Sequence, residues 1–248
     1  MNKTGKLYVI GMGPGGESAM SVRCAKLIRE VEYIIGYKKY IQLLKDLDGI
    51  KGKCIEGVMK KEIDRCQDAI ELAKQGNSVA IISSGDSGIY GMAGLILELL
   101  ADQKSELSVE IVPGITASTA ASALLGAPIM HDSVSISLSN LLTDWELIEK
   151  RITYASMGDF VISLYNPKSK GRPNLINIAQ KLMLEYKSPK TPVGIVRQAM
   201  REEESVIITT LDKMLEEEID MFTTIIIGNQ KTYVNGNKMI TPRGYKIC

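Results

Sequence analysis

The sequence is short of several things at once. In 248 residues there are one histidine, one tryptophan, two phenylalanines and four cysteines. The cysteines (Cys24, Cys54, Cys66, Cys248) show no C-x-x-C spacing, so neither a structural zinc site nor an iron–sulfur cluster is expected, and no metal site is. Four thiols in a chain of this length are also too few for a disulfide scaffold. A Ser-His-Asp triad would have to use the lone imidazole, His131. Apolar runs stop well short of the ~18 residues that a membrane-spanning helix needs. Neither charge dominates: 30 basic and 29 acidic side chains leave a net charge of +1, without the basic excess of a nucleic-acid binder. The first six residues lead straight into a strand-like run, leaving no room for a secretory leader. These absences point to a cytoplasmic protein with no nucleic-acid or membrane partner.

What is present is ordinary globular material, 45% hydrophobic and 24% charged, enough for one large or two small domains. Strand-like runs at 7–10, 33–35, 78–82 and 107–112 alternate with helical patterns at 17–30, 62–75, 90–100 and 116–125. In the second of these helices, Ile63, Cys66, Ile70 and Ala73 fall at helical spacing and predict one buried face. Such alternation predicts a mainly parallel sheet covered by helices. Gly, Pro and His interrupt the pattern over 126–132, and the rhythm then changes. Strands are expected at 134–138, 160–164, 193–196, 206–210 and 224–227, with helices at 144–154, 174–186 and 211–218. Short connections there favour some antiparallel pairing. The expected organisation is two α/β domains, 1–130 with a mainly parallel sheet and 131–248 with a mixed one.

Chemistry-bearing residues collect where strands end. Gly11-Met12-Gly13-Pro14-Gly15-Gly16 satisfies G-x-G-x-x-G after a strand, so it reads as a dinucleotide-binding turn, a tight structural turn or a substrate-facing loop. Against the first, the strand at 33–35 runs into Gly36-Tyr37-Lys38-Lys39 with no carboxylate for a ribose, and Glu32 precedes it. Gly85-Asp86-Ser87-Gly88-Ile89-Tyr90 follows another strand; Asp86 suits either a ribose or amine ligand or a helix cap. Pro113-Gly114-Ile115-Thr116-Ala117 repeats the glycine turn at a third strand end. Tyr165-Asn166-Pro167 is followed by Lys168, Lys170 and Arg172, three cations that suit a ligand with several carboxylates or form a solvated charged face. His131-Asp132 is either an acid/base pair or a structural feature of the junction.

Taken in order, Val9-Ile10-Gly11-Met12-Gly13-Pro14-Gly15, Ser84-Gly85-Asp86 and Val112-Pro113-Gly114-Ile115-Thr116-Ala117 resemble the tetrapyrrole methylase family of S-adenosylmethionine-dependent methyltransferases. The stretches 84–92, 131–143 and 165–169, and Thr241-Pro242-Arg243-Gly244-Tyr245, are similar to its branch that methylates C17 of a precorrin or cobalt-precorrin in cobalamin biosynthesis. The resemblance implies the tetrapyrrole methylase fold, two α/β domains with the methyl donor in a cleft between them, and a homodimer. Residue by residue, it implies cofactor contacts from Pro14, Gly85, Asp86, Ile89, Thr116 and Ala117, then from Tyr165, Asn166, Ala199, Met200 and Thr241. It turns Gly13 and Gly15 toward the tetrapyrrole, whose carboxylates give Lys168, Lys170 and Arg172 a purpose. It also implies ring contraction with loss of C20, for which His131 is the one imidazole able to move a proton. A sibling methylase acting on another ring carbon is the nearest alternative, and an NAD(P)-dependent oxidoreductase using the glycine turn the alternative of a different class.

Overall fold

A computed structural model describes residues 5–45, 47–58, 61–169 and 171–246. The chain divides into two compact units, Met1–Ala117 and Ser118–Cys248. No helix among the described residues is long and apolar enough to cross a membrane.

In the first unit, β1 (Lys6–Gly11), β2 (Tyr33–Tyr37), β3 (Lys53–Gly57), β4 (Ser78–Ser83) and β5 (Ser108–Val112) form one sheet in the order β3-β2-β4-β1-β5. Every pairing in it is parallel. Parallel strands covered on both faces carry unbroken apolar runs, because alternate side chains enter different cores. Leu7, Val9, Val79 and Ile81 pack on one face with α3 (Glu62–Lys74) and α4 (Ala93–Asp102), through Cys66, Ile70, Ile96 and Leu100. Ile10, Ala80 and Ile82 pack on the other with Cys24, Leu27 and Ile28 of α1 (Val22–Glu30).

Local chemistry moved several expected boundaries. The helix expected at 17–30 is a single 3-10 turn, Glu17–Ala19, followed by α1, whose start is set by Ser21 Oγ accepting the Cys24 amide at 3.1 Å. Ile63 is 54% exposed, because the face of α3 that meets the sheet begins one turn later, at Cys66. The short helix α2 (Lys38–Gln42) and strand β3 had no periodic signal strong enough to announce them.

The second unit begins with α5 (Ala117–Leu125) and β6 (Gly126–Ala127). The division therefore falls before this helix rather than near residue 130, since Ala121 and Leu125 bury against Val161, Val196 and Ile226. Contact is close enough that a Cβ on Gly194 would sit 2.3 Å from Leu125 Cδ1. Its main sheet uses β7 (Ser133–Ser137), β8 (Val161–Tyr165), β9 (Pro192–Arg197), β10 (Ser205–Thr210) and β11 (Thr223–Ile227), ordered β10-β9-β11-β8-β7. Only β7 and β8 pair in parallel; the other three pairings are antiparallel, so the sheet is mixed as expected. Helices α6 (Trp145–Met157) and α7 (Leu175–Leu184) cover the face opposite α5. The expected helix at 211–218 is one 3-10 turn, Met214–Glu216, held by the burial of Leu211 and Met214. A small sheet joins β6 to β12 (Tyr233–Asn235) and β13 (Lys238–Ile240), strands too short to read from periodicity.

Candidate functional site

Ligands of parallel sheets bind beyond the carboxyl ends of the strands, and the glycine turns of the first unit all lie there. They follow β4, β1 and β5, three adjacent strands. Gly13 and Gly85 hold the first two loops together: Gly13 N–H donates to Gly85 O at 2.9 Å and Gly85 N–H to Gly13 O at 2.7 Å. Both take positive φ, +80° and +70°, where glycine carries no steric penalty. Asp86 ties in the third loop, its Oδ1 accepting the Gly88 amide at 2.8 Å and its Oδ2 the Gly114 amide at 2.9 Å. Gly114 admits no side chain, since a Cβ would lie 2.2 Å from Gly85 O and 2.5 Å from Gly11 O.

These contacts decide between the readings of each loop. Asp86 caps no helix, because α4 starts only at Ala93; it fastens two strand-end loops and keeps unused lone pairs. A Cβ built on Gly85 would touch the backbone of Thr116 and Ala117 at 3.8 Å, an ordinary packing distance, so the positive φ rather than crowding is what asks for glycine there. Ile89 and Ile115 are exposed apolar neighbours, and Thr116 and Ala117 are half-buried. Gly85, Asp86, Ile89, Thr116 and Ala117 thus share one end of the sheet. Pro14, Gly13 and Gly15 are buried; Gly13 has no room for a Cβ, which would meet Ala19 O at 2.4 Å.

The dinucleotide reading fails on topology as well as on the missing acid. In a dinucleotide-binding sheet the ribose-holding strand lies beside the glycine-loop strand. Here β4 stands between β1 and β2. The backbone groups of Gly13 are already committed to Gly85, and no α-helix opens on the turn until Val22. Glu32 sits at the start of β2, accepting Ser78 N–H at 2.7 Å and Ser78 Oγ–H at 3.0 Å.

In the second unit, β8 ends in Tyr165, whose hydroxyl accepts the Ser118 amide at 3.0 Å. Asn166, at φ 51°, donates from Nδ2 to Ser137 Oγ at 3.0 Å, joining the ends of β7 and β8. Strand β9 runs the same way as β8, both being antiparallel to β11, so Gln198, Ala199 and Met200 emerge at this same end. Gln198 N–H reaches Phe222 O at 3.1 Å, placing Met221 and Phe222 there too, residues that no sequence signal had singled out. Lys168 is exposed and Arg172 half-buried in the loop beyond Asn166; Lys170 lies outside the described residues.

Thr241 and His131 are elsewhere. Thr241 is fully buried, its Oγ1 2.7 Å from Thr232 Oγ1, which in turn donates to Asn229 Oδ1. Asn229 follows β11 and so lies beside the start of β8, at the end of the sheet opposite Tyr165. His131 occupies that far end as well, in a shallow pocket with Asp159, Asn229 and Lys231. Its Nδ1 accepts the Asp132 amide at 2.8 Å.

Backbone strain marks the same places. Among the described residues, six that are not glycine take positive φ: Tyr90, Lys104, Asp159, Asn166, Gln198 and Met200. Lys104 and Asp159 follow helix ends, where the left-handed conformation terminates a helix. The remaining four lie in loops at strand carboxyl ends, where stored strain accompanies ligand sites.

Comparison with known proteins agrees with this geometry. The model of the tetrapyrrole (corrin/porphyrin) methylases matches residues 6–215. A probable cobalt-factor III C(17)-methyltransferase of Salmonella typhimurium is 51% identical over 241 residues, covering 97% of this chain and 100% of that one. A precorrin-3B C(17)-methyltransferase of a Sinorhizobium species is 36% identical, with 98% of each chain covered. The chain spans 45% of a longer cobalt-factor III methyltransferase of Priestia megaterium, at 48% identity. Among solved structures, the methyltransferase CobJ superposes with a TM-score of 0.90 at 32% identity, over 96% of this chain and 100% of that one. A uroporphyrin-III C-methyltransferase from Thermus thermophilus, complexed with S-adenosylhomocysteine, shares the fold over 90% of this chain and 97% of that one, with a TM-score of 0.70 at 20% identity.

Proposed function

Because the chain belongs to the tetrapyrrole methylase family, we propose that it transfers a methyl group from S-adenosylmethionine to C17 of cobalt-factor III or precorrin-3B, with contraction of the macrocycle, in cobalamin biosynthesis. The observation that carries this reading is the full-length match, at 51% identity, to a relative named for that reaction.

The strand-end loops of the first unit suit the donor. Ile89 and Ile115 offer apolar surface to an adenine, and Asp86 has lone pairs for ribose hydroxyls. In the second unit Tyr165, Asn166, Ala199 and Met200 gather at one sheet end, which supports their proposed part in holding the donor. When bound, the cofactor supplies an electrophilic methyl on a sulfonium. Attack by a nucleophilic ring carbon needs alignment more than a strong base, and loops fixed by the Gly13–Gly85 and Asp86–Gly114 bonds provide it. Thr241 leaves the proposed cofactor set, and His131 the proposed catalytic one, because each lies at the far end of its sheet.

The deciding experiment is anaerobic incubation with methyl-labelled S-adenosylmethionine and candidate tetrapyrroles, read by mass spectrometry and NMR. The expected product carries one new methyl at C17 and a contracted ring; a methyl on another carbon assigns the chain to a sibling reaction. The assembly that fits is a homodimer, with exposed apolar side chains such as Val22 and Leu97 left for a second copy to cover. Light scattering should return twice the 27.2 kDa chain mass, and a monomer mass rejects the dimer.

A further inference from the structure

Strand β8 sends its side chains alternately into two cores. Ile162 and Leu164 enter the core shared with α6 and α7, while Val161 packs with Ala121 and Leu125 of α5. Ser163 and Tyr165 share the face of Val161, and Ser118, Ala121 and Leu125 recur at helical spacing on α5. The seam between strand and helix is therefore apolar at one end and polar at the other. At the polar end Ser118 Oγ lies 2.7 Å from Ser163 Oγ, and the Ser118 amide donates to the Tyr165 hydroxyl at 3.0 Å. All three residues are buried, Ser163 at 1% exposure, Ser118 at 7% and Tyr165 at 9%.

A buried hydroxyl is costly unless it is bonded, and alanine at 118 and 163 would fill this seam without that risk. What the hydroxyls add is direction. Apolar burial is non-directional and lets a helix slide or rotate slightly, whereas a hydrogen bond fixes distance and angle. Two bonds to one residue, one to its side chain and one to its backbone, remove the rotation that either alone would leave. The fixed end is the first turn of α5. Ala117 opens that helix and Thr116 precedes it, and both are among the residues proposed to hold the methyl donor.

This inference rests on the donor reading and refines one of its members. We propose that Tyr165 is a positioning residue rather than a contact of the donor. With Ser163 it fixes the first turn of α5, and so sets how the backbone of Thr116 and Ala117 is presented. Ser163, which no sequence signal singled out, is the second anchor of that turn.

The test uses the full chain, with S-adenosylhomocysteine as probe. Calorimetry reads affinity, NMR reads hydrogen exchange of the Ser118 amide, and urea titration reads stability. An amide in the first turn of a helix has no acceptor within the helix, so its protection reports on Tyr165. Tyr165→Phe keeps the ring and Ser163→Ala nearly keeps the volume. Each should weaken S-adenosylhomocysteine binding by ~3–10-fold, the scale of one lost hydrogen bond, and speed Ser118 exchange in the ligand-free protein. The double variant should lose less than the product of the two single losses, because both act on one turn. Wild-type affinity in either single variant overturns the proposal. In Ser163→Ala it makes Tyr165 a direct contact, and in Tyr165→Phe it takes the tyrosine out of the site. Lower urea midpoints with unchanged affinity in both make the seam merely structural, and losses that multiply in the double variant refute a shared turn. If the wild type binds no S-adenosylhomocysteine, the donor reading falls and takes this inference with it; wild-type binding with indifferent variants sinks this inference alone.

Discussion

Gly13 and Gly85 exchange two backbone hydrogen bonds across the ends of β1 and β4, at 2.9 and 2.7 Å. That pair converts a sequence resembling a pyrophosphate cradle into a fastener between two strand-end loops. Gly114 completes the arrangement by lying against the carbonyls of Gly85 and Gly11. Gly114→Ala should therefore displace backbone, destabilising the protein by about 1–3 kcal/mol, the overpacking scale, and lowering cofactor affinity. Denaturant titration and calorimetry with S-adenosylhomocysteine check both effects, and a variant with wild-type stability contradicts the steric account.

Asp86 holds the amides of Gly88 and Gly114 through different oxygens. Asp86→Ala leaves both without a partner and should weaken S-adenosylhomocysteine binding by ~1–3 kcal/mol. Asp86→Asn keeps one acceptor oxygen and should fall between. Equal affinity in all three proteins would remove Asp86 from the site.

His131 lies beyond the start of β7, a five-residue strand and so ~16 Å from the end where Tyr165 and Asn166 emerge. His131→Ala should keep kcat within ~2-fold of wild type, against the ~10²–10⁴-fold loss expected of a general acid or base. Accumulation of a methylated but uncontracted macrocycle in that variant would restore His131 to the mechanism.

Glu110 on β5 accepts Arg23 Nε at 2.8 Å and Lys6 Nζ at 2.8 Å, and these two cations lower its pKa to about 2. A carboxylate depressed in the folded state contributes stability above its unfolded pKa, and that stability is lost as pH falls through the folded value. Wild type should lose this contribution between about pH 4.5 and 2, the ordinary and folded values. Glu110→Gln should cost about 1 kcal/mol at pH 7, the upper range for partly exposed pairs, and show a flatter decline over that acid window. Parallel curves for the two proteins would show that the cluster adds nothing.

Lys187 is buried, its ammonium donating to Phe160 O at 2.9 Å, Gly228 O at 3.1 Å and Asp159 Oδ1 at 3.3 Å. Burial lowers its pKa, against the opposing pull of Asp159. Lys187→Met removes the donor to two carbonyls and the charge partner of Asp159, which keeps the Gln230 amide, so a loss of about 3–5 kcal/mol is expected by chemical denaturation. A double-mutant cycle with Asp159→Asn should show strong coupling, whereas additive effects would dissolve the pair.

Much of this protein could be read before folding was considered. The apolar runs ending in Ile10 and Ile82 require buried parallel strands, because alternate residues must enter cores on both faces. The glycines after them mark close backbone approach, since no other residue tolerates it. The first-unit residues proposed to hold the cofactor came from those turns together with the family resemblance. What tertiary structure alone decided is adjacency. Strand order placed β4 between β1 and β2 and so disqualified the dinucleotide reading of a motif whose letters satisfied it. Strand direction sent Ala199 to the end that holds Tyr165, while Thr241 and His131 went to the other, a distinction that spacing along the chain does not contain. Burial set Arg172 apart from exposed Lys168 and left Leu142 in water, because exposure depends on what the rest of the chain covers. Local pattern determined which segments became strands, helices and turns; which loops met was settled by the pairing of strands distant in sequence.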